Sequence, residues 1–166
     1  MDKFDFFLNC AILMLKDNKK KYPDSRLMRI ETFNLIQETL EKYTGKAALL
    51  LMNRLGELYA ESFLEEKKLK NNNLKNLISI AINGGNNMKW FMLKKQDTVN
   101  KDIILTFDST FESAIHKKVD YTACKFLEGF FKKISNSSKE NFVCLCEETK
   151  CVAKGDDCCE FKIKKV

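Results

Sequence analysis

Residues 142–165 read FVCLCEETKCVAKGDDCCEFKIKK. Apolar and polar side chains alternate over Phe142–Glu148 and again over Cys158–Lys164, the period of a half-buried strand. Lys154-Gly155-Asp156-Asp157 between them is turn chemistry. The stretch predicts a C-terminal β-hairpin. Three possible metal donors, Glu148, Cys151 and Cys159, crowd onto it. If the chain turns about Gly155, Cys151 and Cys159 face each other with side chains about 5 Å apart, close enough for both sulfurs to reach one ion. Glu148 stands three residues before Cys151 and would point to the opposite face of a regular strand. A bulge or turn between them is therefore required if both are ligands. Cys124, on a helix before the hairpin, would be the remaining donor and would pin that helix to the ribbon.

Six of the seven cysteines lie between Cys124 and Cys159. Zinc takes thiolates and carboxylates in four-coordinate sites. Cys146, on the same face as Glu148, is a rival fourth ligand, and a water is another. Ordinary buried cysteine is the alternative for the whole cluster. Cys144, Cys146 and Cys158 read as small core or surface thiols, and Cys10 as core.

Upstream the period changes. Phe4, Phe7, Leu8, Ala11, Ile12 and Leu15 have helical spacing over residues 3–16. A second helix is expected from Arg26 to Tyr43, capped by Asp24 or Ser25, and a third from Lys46 to Lys67, where Gly56 marks close packing. Leu74–Ile82 reads as a short helix or a strand, and Gly84-Gly85-Asn86-Asn87 as a strong turn. Met88–Leu93 and Asp102–Phe107 read as strands, and Thr110–Lys117 as a brief helix or turn. Asp120 is the expected cap of a helix running to Ile134, with Cys124, Leu127, Phe130, Phe131 and Ile134 on its apolar stripe. Lys162, Lys164 and Lys165 suit an exposed sheet edge that must resist self-pairing. The sum is an α+β fold, an antiparallel β-sheet packed with helices. Residues 1–43 form N-terminal helices packed on a domain of residues 44–166, one globular unit in all.

Composition narrows the function. The 166 residues carry a net charge of +6, almost all of it from lysine, since the arginines are Arg26, Arg29 and Arg54. The lysines are scattered among acids rather than gathered in a stripe, so direct nucleic-acid binding is not expected. The apolar run Phe6–Leu15 is too short for a membrane span and lacks a signal cleavage site. A cytoplasmic protein is expected, in which cysteines serve metal or stay free. No glycine-rich dinucleotide loop follows a strand. His116, the single histidine, reads as a surface residue without an acid partner rather than a general base.

The segment from Ile104 to Ile163 resembles the 4-vinyl reductase domain family. The matching features are a strand ending in Phe107-Asp108-Ser109, Cys124-x4-Gly129 on a helix, and the run Glu148-x2-Cys151-x-Ala153-x-Gly155-Asp156-x2-Cys159-x-Phe161. Ala47-Ala48-Leu49-Leu50 and Arg54-Leu55-Gly56-Glu57 resemble an earlier helix of the family, so the likeness covers roughly residues 45–163. The resemblance implies the fold of the ligand-binding domains of nitric-oxide signalling proteins and Golgi-transport-particle subunits. It also implies a zinc held by Cys124, Glu148, Cys151 and Cys159. The expected function is a stand-alone sensor or regulatory module for a small hydrophobic or aromatic molecule, with a structural zinc and no catalysis. Trp90, Phe91 and Phe107 are the candidate pocket residues, and a homodimer is the expected assembly. The alternatives are a reductase or accessory factor acting on a vinyl-bearing tetrapyrrole-like compound, and an adaptor subunit of a protein assembly.

Overall fold

A computed structural model of the chain describes residues 30–69, 71–116, 118–140 and 142–166. The helix expected over residues 3–16, and the start of the one expected at Arg26, lie outside the described residues. The elements run α1 (Ile30–Thr44), α2 (Ala47–Glu66), α3 (Leu74–Asn87), β1 (Phe91–Val99), β2 (Asp102–Thr110), α4 (Phe111–Ile115), α5 (Lys125–Asn136), β3 (Cys144–Lys150), a 3-10 turn (Val152–Lys154) and β4 (Cys159–Lys165). The strands form one antiparallel sheet in the order β1-β2-β4-β3. One sheet face is buried through Leu105, Phe107, Phe161, Ile163 and Cys144. The α+β fold is as the alternation and helical spacing imply.

α2 buries Ala48, Met52, Gly56, Ala60 and Leu64, a stripe of mostly small residues at four-residue spacing. That stripe lets α5 approach closely. A Cβ on Gly56 would lie 1.9 Å from the Phe126 carbonyl oxygen, and one on Gly129 would lie 1.9 Å from that of Asn53. The two helices thus meet backbone to backbone through paired glycines. Their rims carry the ion pairs Lys132–Glu57 and Lys133–Glu61.

In α3 one expected reading holds and one fails. Leu74–Ile82 is helical, and Gly84-Gly85 continues the helix instead of turning. Asn73 caps its start, accepting from Asn76 N at 2.8 Å. Gly85 is required by packing, because a Cβ there would lie 2.2 Å from the Phe91 ring. The chain reverses four residues later at Lys89, whose φ is 56°, with Trp90 N donating back to Gly85 O. This is a left-handed helix end on a non-glycine residue.

β1 begins at Phe91 rather than Met88; β1 and β2 run past their expected C-terminal ends, and they join through Asn100 and Lys101, both at positive φ. That is the two-residue hairpin geometry that matches strand twist. α5 starts at Lys125 rather than beside Asp120. The lysine edge is a second correction: β4 lies inside the sheet, between β2 and β3. Lys162, Lys164 and Lys165 instead pair with Asp102, Glu147 and Glu140. The edge near the site is β3, and α5 covers it. Asn136 Nδ2 donates to Cys144 O and Asn136 Oδ1 accepts from Cys144 N, each at 2.8 Å. Glu128 accepts from Glu148 N. These side chains occupy groups that would otherwise pair with another strand.

Among the described residues no helix is long and apolar enough to cross a membrane.

The glycine contact predicts opposite signs at two positions. Gly129→Ala forces the α2 and α5 backbones apart and costs at least about 2 kcal/mol. Gly84→Ala places its methyl at ordinary contact distance from Phe63 and gains up to about 1 kcal/mol of helix propensity. Urea denaturation of the two variants measures both; an unmoved midpoint for Gly129→Ala contradicts the close approach.

Candidate metal centre

Cys124, Glu148, Cys151 and Cys159 converge where α5 meets the β3–β4 ribbon. One donor atom from each lies within 4.8 Å of all the others, and all four residues are buried. The ribbon geometry explains why. Pairing runs from Cys144–Lys165 to Glu148–Phe161, then slips to Lys150–Glu160. The slip is a bulge between Glu148 and Lys150: Glu148 keeps the inward alternation of Cys144 and Cys146, and the extra residue brings Cys151 to the same side. Cys151 directly follows β3 and Cys159 opens β4. Gly155, at φ 110°, reverses the chain between them. Asp156 ties that turn, its Oδ2 accepting from Cys151 N at 2.8 Å. Cys124 occupies the N-cap of α5.

Cys124 Sγ lies 3.9 Å from both Cys151 Sγ and Cys159 Sγ. Four ligands at a zinc–sulfur distance near 2.3 Å define a tetrahedron whose edges are about 3.8 Å, so the sulfurs stand at the right separation. Each sulfur also has a hydrogen-bond partner outside the ligand set. Ala123 N donates to Cys151 and Val152 N to Cys159, and Thr110 Oγ1 stands 3.1 Å from Cys124 Sγ. Such donors spread the charge of bound thiolates. Glu148 Oε2 accepts from Cys124 N at 2.9 Å. Glu148 Oε1 is buried with no hydrogen-bond partner. An unsatisfied carboxylate oxygen beside three thiols costs free energy unless a cation completes it. The donor set therefore fits a divalent metal.

Electrostatics agree. Burial pushes the Glu148 carboxyl up to about 8, and the adjacent Cys151 adds to the rise. Burial also pushes the Cys124 thiol well up. Hydrogen bonds from Cys124 and Cys151 draw the Cys159 thiol down to about 4. Without a cation the cluster favours one thiolate, at Cys159, beside a protonated carboxyl. A dication reverses that preference at every ligand.

The other cysteines stand apart. Cys146 is buried on the same strand face, but the group of converging donors contains Glu148 and not Cys146. Cys144 is buried and Cys158 half-buried, and all six described cysteines are free thiols.

Three residues near the centre are not read as site residues from the sequence. Glu112 is fully buried, and its carboxylate accepts from Phe126 N and Leu127 N at 2.9 Å each. Thr110 and Asp156 are the others. Thr110-x-x-Ser113 carries a legible signal, since the two form a capping box at α4. Nothing local marks Glu112. His116 requires a correction. It is buried, not superficial, with Nε2 2.9 Å from Glu41 Oε1 and Nδ1 3.1 Å from Glu112 O. Its acid partner lies 75 residues away in sequence, beyond any local pattern.

The three candidate pocket aromatics divide. Phe91 and Phe107 sit in the core with ring centroids 4.4 Å apart, and both pack on Phe131. Trp90 is half-buried in a second aromatic group with Tyr59, Phe111, Phe126 and Phe130. A cavity of about 250 Å³ lies elsewhere, lined by Glu41, Gly45, Lys46, Leu49 and Tyr121.

No family model matches the sequence, and no curated protein matches it. Solved structures do share the fold. The phenol-responsive sensory domain of the transcription activator PoxR superposes with a TM-score of 0.70 at 14% identity, over 84% of this chain and 76% of that one. An H-NOX protein from S. oneidensis gives 0.63 at 11% identity, over 98% of this chain and 94% of that one. A vinyl-4-reductase family protein from Methanocaldococcus jannaschii gives 0.55 at 16% identity, over 100% and 97%. At these identities the likeness is one of fold: this chain has the α+β architecture that sensory and vinyl-4-reductase family proteins also use.

Proposed function

We propose that this chain is a small-molecule-binding module of the sensor type, a member of the 4-vinyl reductase domain family, held together by one structural zinc. The observation that carries the reading is the unpartnered Glu148 Oε1 beside three buried thiols. With Cys124, Glu148, Cys151 and Cys159 as ligands, no coordination position stays open for substrate. The zinc then serves as a clip between α5 and the ribbon. The fold shared with the PoxR sensory domain, itself phenol-responsive, supports the sensor reading.

The ligand class follows from the aromatic group. Trp90 meets Tyr59 at 5.1 Å and Phe126 at 5.5 Å. This group is partly open at Trp90, and a hydrophobic ring compound fits its chemistry. Phe91 and Phe107 belong to the neighbouring core group, joined to it through Phe131 and Phe130. Residues 44–166 make up the module, and α1 packs against its α2 and α4. The exposed Leu35, Tyr43 and Leu50 of α1 and α2 support a homodimer. Six free thiols among the described residues suit a reducing cytoplasm.

Native mass spectrometry of freshly purified protein is expected to show one zinc per chain. Metal-free protein that keeps its full thermal stability would refute the clip, since chelation is expected to lower the Tm by at least about 10 °C. Chelator competition is expected to rank the residues. Cys124→Ser, Cys151→Ser and Cys159→Ser weaken zinc more than about a hundredfold, while Cys146→Ser and Cys158→Ser change it little. Binding must ionise Glu148 and Cys124, so zinc uptake near neutral pH releases protons, and affinity falls as the pH drops from about 8 to 6. Trp90 is the only tryptophan, so its fluorescence reports the pocket directly. Hydrophobic ring compounds are expected to quench it and raise the Tm; a broad screen without either effect would remove the ligand assignment.

A further inference from the structure

α5 has to begin without a cap of its own. Its N-cap residue is Cys124, whose side chain makes no capping hydrogen bond because it faces the thiol cluster. The first backbone N–H groups of a helix still need acceptors. Cys124 N finds Glu148 Oε2, and Lys125 N finds Ala123 O. Phe126 N and Leu127 N each donate, at 2.9 Å, to one oxygen of Glu112. Burial pushes the Glu112 carboxyl well above its ordinary value, and these two N–H groups act against that rise.

Glu112 is itself held firmly. Thr110 and Ser113 exchange reciprocal hydrogen bonds at the start of α4. Glu112 O meets His116 Nδ1, and His116 Nε2 meets Glu41 Oε1 on α1. Thr110 in turn touches Cys124 Sγ. The short α4 is thus a strut between α1 and the first turn of α5, with its carboxylate at the α5 end.

We propose that Glu112 is a positioning residue for the metal centre: by holding the first turn of α5 through two N–H groups, it sets where Cys124 Sγ stands among the ligands and so sets metal affinity. The proposal rests on the metal-centre reading above. It gives Glu112 no contact with the ion.

Cobalt(II) loaded into the full chain in place of zinc tests it, because sulfur-to-cobalt charge-transfer absorption counts bound thiolates. Glu112→Gln keeps the side chain's shape but turns an amide N–H₂ toward one of the two backbone donors. At saturating cobalt, Glu112→Gln is expected to lose about a third of that absorption, one thiolate of three. Its zinc affinity by chelator competition is expected to fall about ten- to a hundredfold. General destabilisation would lower affinity but leave the saturated spectrum unchanged, so an unchanged spectrum overturns the proposal. Should Glu112→Gln not fold, amide exchange in the unaltered protein decides. Phe126 and Leu127 amides that stay protected after the metal is chelated support Glu112 as their holder; amides that exchange freely once it is gone overturn it. Failure of the unaltered protein to take up cobalt would instead refute the metal centre itself.

Discussion

Burying three thiols and a carboxyl group together is the constraint on which the rest of this structure turns. Cys124, Cys151 and Cys159 are fully buried and Glu148 nearly so. Brought together without a cation, they resist ionisation at Glu148 and Cys124. The same closeness makes the group a strong receptor for a dication. Much nearby detail follows from serving this cluster. The β3 bulge brings Cys151 to the face of Glu148, Gly155 folds the ribbon back, and backbone N–H groups are aimed at sulfur. α5 gives up its own cap so that its first residue can join.

That last concession ties the site to the helical layer. α5 is anchored at its start by carboxylates from α4 and β3, and along its length by the glycine contact with α2. It carries Cys124 at one end, and Phe126 and Phe130, which pack against Trp90 and Tyr59, in its first turns. The aromatic group and the cluster thus share one element, α5. The strut from Glu41 through His116 and Glu112 gives α1 a second connection to the same helix turn.

Local pattern made much of this legible. The hairpin, the facing of Cys151 and Cys159, and the need for an irregularity after Glu148 all come from strand period and turn chemistry. Gly56 signalled close packing because a mid-helix glycine costs stability unless something uses the space. The misreadings share a cause. Gly84-Gly85 has turn composition, but the Phe91 ring occupies the room a side chain would need, so packing overrode propensity. Asp120 looked like a cap, yet the carboxylates that satisfy α5 are Glu112 and Glu148, supplied from other elements. Lys162, Lys164 and Lys165 looked like edge protection, but strand order put β4 inside the sheet.

The sequence by itself determined which residues alternate, where the ribbon turns, and which donors crowd onto it, because strand period, turn conformation and ligand spacing belong to neighbouring residues. Only the tertiary structure decided which carboxylate meets which helix end, which strand lies inside the sheet, and that the single histidine meets Glu41. Those pairings join residues far apart in the chain. Their energies exist only once the helices and the sheet have been brought together.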